Sequence, residues 1–206
     1  MAEESALFIL ENFKRADGGL NRNYKNGHSS INGFLDDYAF TIEALIGLYQ
    51  ATFDEKWLIE ADLLMLYALA HFGDENSMMF FYTSDEDKAL VARKMEVTDN
   101  VIPSSNSAMA KNLYILGKLL YKDEYIDRSV QMLNNVKEQT STGMSYYANW
   151  DILLSWLVSE PFEVVIVGKD YLAMRKEFDQ HFLPNVFLAG GRIEGKLPIL
   201  ENKLVQ

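Results

Sequence analysis

The chain has 206 residues, enough for one domain with a substantial core. Hydrophobic residues make up 49% and charged residues 24%, the balance of a globular protein rather than a disordered tail. A net charge of −11 argues against nucleic acid as the main partner, since phosphates need a positive surface, and the lack of cysteine excludes disulfides, thiolate catalysis and cysteine-ligated zinc for this chain.

In chain order, Glu3 to Arg15 reads as a helix with Ala6, Leu7, Leu10 and Phe13 on one face, stopped by Asp17-Gly18-Gly19. Leu20 to Lys25 alternates loosely and ends in the tight-turn pair Asn26-Gly27, within a long loop. A helix opening at Phe34 and running to about Gln50 carries Phe34, Tyr38, Ile42, Leu45, Ile46 and Tyr49 at helical spacing. Asp36 and Asp37 sit in its first turn, where unpaired N–H groups and the helix dipole favour negative charge. Asp54 then caps a second helix, ended by Gly73, with Trp57, Leu58, Ala61, Leu64, Met65, Ala68 and Phe72 on its apolar stripe.

Met78 to Thr83 and Leu90 to Ala92 flank the polar tip Ser84 to Lys88, which predicts a small β-hairpin inside a second long loop. Pro103 and a following serine start the next helix, which runs to about Tyr121 with Met109, Leu113, Leu116 and Leu120 buried. Lys122-Asp123 forms a short turn into a returning helix, Glu124 to Lys137. Gly143 precedes an aromatic-rich helix from Tyr146 to Val158. The strand-like run Glu163 to Gly168, a helix from Tyr171 to Phe182 and a short strand at Val186 to Leu188 predict two parallel strands joined by a right-handed crossover. The turn Gly168-Lys169-Asp170 has no Gly-rich phosphate cradle, which excludes nucleotide binding there.

The segment Gly47 to Met65 resembles Gly117 to Leu133, with Asp54-Glu55 against Asp123-Glu124, Trp57 against Tyr125 and Leu64-Met65 against Met132-Leu133. Alternating short and long connections gather all long loops at one end. Asp36, Asp37, Tyr38, Asp99, Asn100, Ser104 and Asn106 are therefore expected around one mouth.

The runs Gly33 to Phe40, Arg93 to Ser107 and Glu163 to Gly168, with the later Leu183-Pro184-Asn185-Val186, resemble in order and spacing the family that pairs a thioredoxin-like domain with a six-hairpin helical toroid and includes spermatogenesis-associated protein 20. The resemblance covers nearly the whole chain. It implies a mainly α fold: antiparallel helical hairpins forming part of an (α/α)6 toroid, six-hairpin glycosidase-like, with a small β-hairpin and a C-terminal β-α-β addition. Residues 1–160 would form the toroid segment and 161–206 the appendage. It also implies the C-terminal part of a longer protein whose thioredoxin-like domain and first helical hairpins lie outside these residues. Two departures are visible: members often have glycine where Ser105 stands, and usually continue into a cysteine-bearing tail beyond the Leu197-Pro198 region.

Toroids of this kind are similar to those of sugar epimerases and glycosidases, so the expected function is carbohydrate-related, by analogy of fold. The alternative is a non-catalytic module that docks the thioredoxin-like domain. As a catalytic pair Asp36 and Asp37 would supply general acid and base, with Asp37 slightly favoured; the plainer reading is that they cap the helix. Asp99, Asn100, Ser104 and Asn106 suit sugar hydroxyls or simply satisfy their own loop. Arg93 and Lys94 either bind an anion or pair with Asp36 and Asp37. Of the aromatic stripe Tyr146, Tyr147, Trp150 and Trp156, Trp150 is the candidate to stack on a sugar ring. His28 lies near the mouth, while no two histidines share metal-ligand spacing, and neither metal nor cofactor is expected. The first residues lack a signal peptide's regions and no uncharged run reaches membrane-spanning length, so the expected setting is the cytoplasm, without a membrane partner. Half a toroid leaves apolar faces uncovered, which predicts self-association or exposed patches.

Overall fold

The computed structural model describes residues 1–88 and 92–204. Two antiparallel helical pairs form its frame: α2 (Leu35–Thr52) with α3 (Glu55–Phe72), and α4 (Ser105–Leu120) with α5 (Asp123–Thr142). Each pair is closed by the same turn. Phe53 and Tyr121 adopt left-handed conformations, φ 58° and 53°, and their N–H groups donate to the carbonyls of Tyr49 and Gly117. The N–H groups of Trp57 and Tyr125 then donate to the carbonyls of Asp54 and Lys122, each at 3.1 Å. Superposed on these turns, Trp57 pairs with Tyr125, Leu64 with Met132 and Met65 with Leu133, as the sequence repeat predicts. The capping residues correct it: Asp54 corresponds to Lys122 rather than Asp123, and Gly47 to Ile115 rather than Gly117.

The core lies between the layers. Tyr38, Ile42, Tyr49, Trp57, Leu58, Leu64, Met65, Phe72, Met109, Leu113 and Leu116 are fully enclosed, and a large apolar side chain so buried contributes roughly 1.5–3 kcal/mol. α2 packs against α4, and α4 against α6 (Ala148–Val158), so these three form one row with α3 and α5 behind it. α1 (Ala2–Asn12) lies against α2 and buries Ala6, whereas Leu7, expected on the buried face, is 41% exposed.

The strands depart from expectation. The hairpin forms at Asn26-Gly27, between β1 (Asn21–Lys25) and β2 (His28–Asn32), in the segment read as a loop. Asn26 and Gly27 both have positive φ, 54° and 77°, as a tight hairpin turn requires. Met78 to Thr83 forms no strand; its single bridge joins Phe80 to Gly73. Leu90 and Val91, in the second arm expected there, lie outside the described residues. At the C-terminus β3 (Phe162–Val167) pairs in parallel with β4 (Val186–Gly191), with α7 (Tyr171–Phe178) between them in sequence. Phe187 and Ala189 are buried, and Gln50 Oε1 accepts from Leu188 N–H at 2.9 Å. This unit is therefore fixed beside the short turns, and the opposite end is left to the long loops.

Candidate functional site

At the long-loop end lies a cleft of about 670 Å³. The first turn of α2 gives it Asp36, the segment after α3 gives Tyr82, and residues 95–98 form a wall carrying Glu96. The loop 99–104 and Tyr146, in the turn before α6, complete it. Backbone pairing holds these segments in register. Tyr82 N–H donates to the Lys94 carbonyl at 2.7 Å, Leu35 N–H to the Tyr82 carbonyl at 3.0 Å, and Asp99 N–H to the Tyr146 carbonyl at 2.8 Å.

Buried polar side chains brace the wall. Asn106, fully enclosed, accepts from Phe80 N–H at 2.8 Å and donates to the carbonyls of Phe80 and Glu96, both at 2.9 Å. Asp99 is almost as buried, and its carboxylate accepts from Ser104 N–H at 2.8 Å, Ser107 Oγ at 2.7 Å and Asn149 N–H at 2.9 Å. It thus joins the loop to the starts of α4 and α6. Ser104 caps α4 by accepting from Ser107 N–H at 3.1 Å. Asn100 is exposed, and its N–H donates to the Ile102 carbonyl.

The two adjacent aspartates part company. Asp37 turns back to accept from Phe34 N–H at 2.8 Å and lies 3.6 Å from Arg22, whose guanidinium stacks over the Phe34 ring. Asp36, not Asp37, lines the cleft; it accepts from Asp37 N–H at 3.1 Å and from Tyr82 Oη at 3.2 Å. Both carboxylates therefore cap α2, and only Asp36 also lines the cleft.

Charge accumulates here without a cation in the lining among the described residues. Glu96 as a whole is exposed, yet partial desolvation and then the Asp36 charge hold its carboxyl above the usual range. Tyr82 is pushed up to about 12, first by burial and then by the charges of Asp36 and Glu96. Asp37 is also raised, by burial, against the lowering effect of the Phe34 N–H. Among the described residues no group of three or more His, Asp or Glu side chains is placed to hold a metal ion.

The remaining candidates lie elsewhere. Tyr38 is fully enclosed, its hydroxyl accepting from Leu20 N–H at 2.7 Å. Trp150 is enclosed too, with Nε1 donating to the Val97 carbonyl at 2.7 Å; of the aromatic stripe it is Tyr146, 58% exposed, that reaches the cleft. Arg93 pairs with neither aspartate: it lies over the Phe81 ring and donates to the carbonyls of Thr83 and His71. Lys94 is exposed and enters the site through its carbonyl alone. His28 is exposed near the tip of the β1–β2 hairpin, outside the cleft lining. Tyr82 and Glu96 were not singled out by sequence. Tyr82 falls in the run Met78 to Thr83, read as a hairpin arm, and Glu96 in the run Arg93 to Ser107 that carries the family resemblance; neither run marks one side chain for chemistry.

Among the described residues no helix is long and apolar enough to cross a membrane. No family model matches the chain. It is 31% identical over 124 residues to an uncharacterised protein of Caenorhabditis elegans, covering 60% of this chain and 17% of the relative. It is 29% identical over 181 residues to spermatogenesis-associated protein 20 of Rattus norvegicus, covering 82% of this chain and 23% of that protein. The Homo sapiens protein of the same name is 32% identical over 108 residues, 52% of this chain and 14% of its own length. The chain thus spans about a fifth of the length of the first two relatives, and its similarity to spermatogenesis-associated protein 20 supports kinship with that family.

Proposed function

We propose that the cleft at the long-loop end binds a carbohydrate, and that the row of helices beneath it is an arc of an (α/α)6 toroid within a longer protein that also carries a thioredoxin-like domain. The observation that carries this reading is that Asp36 and Glu96 line one cleft together with two tyrosines, Tyr82 and Tyr146. Carboxylates accept from sugar hydroxyls, and an exposed tyrosine ring offers a flat face to the C–H side of a pyranose. If the bound sugar is also converted, Asp36 and Glu96 are the two carboxyl groups of the lining that would exchange protons with it. Asp99 and Asn106 shape the wall from behind and do not touch ligand.

Thermal unfolding against a panel of mono- and disaccharides tests this. A saturable rise in midpoint for one sugar, absent in Asp36→Asn but retained in Asp37→Asn, supports the cleft. A flat response across the panel, or equal loss in both variants, removes it. The second reading, a non-catalytic module that docks the thioredoxin-like domain, is favoured by one feature of the rim: Val101 is 95% exposed beside the half-exposed Ile102.

A further inference from the structure

The cleft at the long-loop end carries charge of one sign. Asp36, Glu96 and Asp99 are its charged lining residues, and among the described residues no lysine, arginine or histidine joins them. Residues 89–91, 205 and 206, outside the description, have no charged side chain either. The three carboxylates are not equally available. Asp99 uses both oxygens on Ser104, Ser107 and Asn149. Asp36 accepts from Tyr82 Oη and from the Asp37 N–H. Glu96 has no side-chain hydrogen bond or ion pair among the described residues; its carboxyl meets only partial desolvation and the charge of Asp36. Arg22, whose charge reaches the Tyr82 hydroxyl, stays outside the lining, drawn to Asp37 at 3.6 Å and stacked over Phe34. Two carboxylates that repel each other in one cleft favour a ligand that brings positive charge.

A neutral sugar leaves that repulsion in place, and a uronate adds to it. A sugar with a protonated amine supplies three N–H donors and a positive charge, and a charge-assisted bond to a carboxylate is stronger than one from a hydroxyl. The exposed ring of Tyr146, in the same lining, offers a π face to a cation. Resting on the carbohydrate reading of the cleft, we propose that its ligand is an amino sugar, held through a protonated amino group by Asp36 and Glu96 in preference to neutral, N-acylated and acidic sugars.

Calorimetric titration at about pH 6.5, where a sugar amine is largely protonated, tests this on the intact chain. Glucose, galactose and mannose are each compared with their 2-amino and 2-acetamido forms, with glucuronate and methylammonium as controls. Saturable one-to-one binding of at least one amino sugar is expected, tighter by about tenfold or more than its neutral and acetamido counterparts. Glu96→Gln and Asp36→Asn each remove one charge at constant size and are expected to bring the amino and neutral forms within about threefold of each other. Asp36 also caps α2, so Glu96→Gln, at an exposed position, decides should the other variant fail to fold. Glu3→Gln, in the first turn of α1 and outside the lining, removes a charge from the total of −11 and is expected to keep the preference. A neutral sugar bound as tightly as its amino form would overturn the amine selectivity while leaving the carbohydrate reading standing. Methylammonium bound as tightly as the amino sugars, or a preference unchanged in both cleft variants, would reveal general attraction of cations and overturn it as well. Silence from every sugar removes both.

Discussion

Replacing Asn106 by alanine separates a ligand contact from a structural clamp. The side chain makes three hydrogen bonds, at 2.8, 2.9 and 2.9 Å, to the Phe80 N–H and to the carbonyls of Phe80 and Glu96. Each contributes about 1 kcal/mol net, and a buried group left without a partner costs about 1–3 kcal/mol. Phe80 is itself fully enclosed, so water does not readily replace the lost partner. The expected loss in stability is therefore about 3 kcal/mol, read as a lower urea midpoint at unchanged slope. The Asn106 backbone N–H still reaches the Glu96 carbonyl at 3.4 Å, so the wall is loosened rather than released. A loss below about 0.5 kcal/mol, the range of ordinary surface substitutions, would refute the clamp and return Asn106 to the ligand contacts.

Further outcomes follow from single features. Because the folded Glu96 carboxyl lies above its ordinary value of 4.5, its ionisation weakens the fold as pH rises through that range, and the penalty is complete above the folded value. Glu96→Gln is therefore expected to raise the unfolding midpoint at neutral pH and to lose the gain on the acid side of 4.5; no gain at neutral pH would contradict the electrostatic account. Ile31 is β-branched, 61% exposed and held at φ 62°, so Ile31→Asn should gain roughly 1 kcal/mol in a urea melt, and destabilisation would count against strain there. At Gly190 a Cβ would run into the Ile166 carbonyl on the paired strand and come within 2.9 Å of the Phe53 ring, so Gly190→Ala should cost about 2 kcal/mol by calorimetry. A neutral result would mean that β3 and β4 separate easily.

The helical frame is legible because its signals are local: apolar residues at helical spacing, Asp54 and Ser104 as caps, and the repeated short turns. The β elements are harder to read. Asn26-Gly27 announces a turn, but the arms Asn21–Lys25 and His28–Asn32 are polar and lack β-branched alternation, so they read as loop. Met78 to Thr83 has a strand's composition, yet Asn106, distant in sequence, takes the hydrogen bonds at Phe80 that a partner strand would make. The position of the cleft is legible from the order of short and long connections. Which aspartate faces it is not, because that depends on the bond between Asp37 and Phe34 N–H and on Tyr82 arriving from another segment. Trp150 and Tyr146 illustrate the same limit: a stripe of aromatics does not reveal which ring the wall at Val97 will cover.

The most direct measurement of the carbohydrate reading is a backbone amide shift map recorded while the best sugar of the panel is titrated in. Saturable shifts confined to Asp36, Tyr82, residues 95–104 and Tyr146 are the predicted result. Shifts centred elsewhere, or none for a sugar that raises the unfolding midpoint, would contradict a binding site in this cleft.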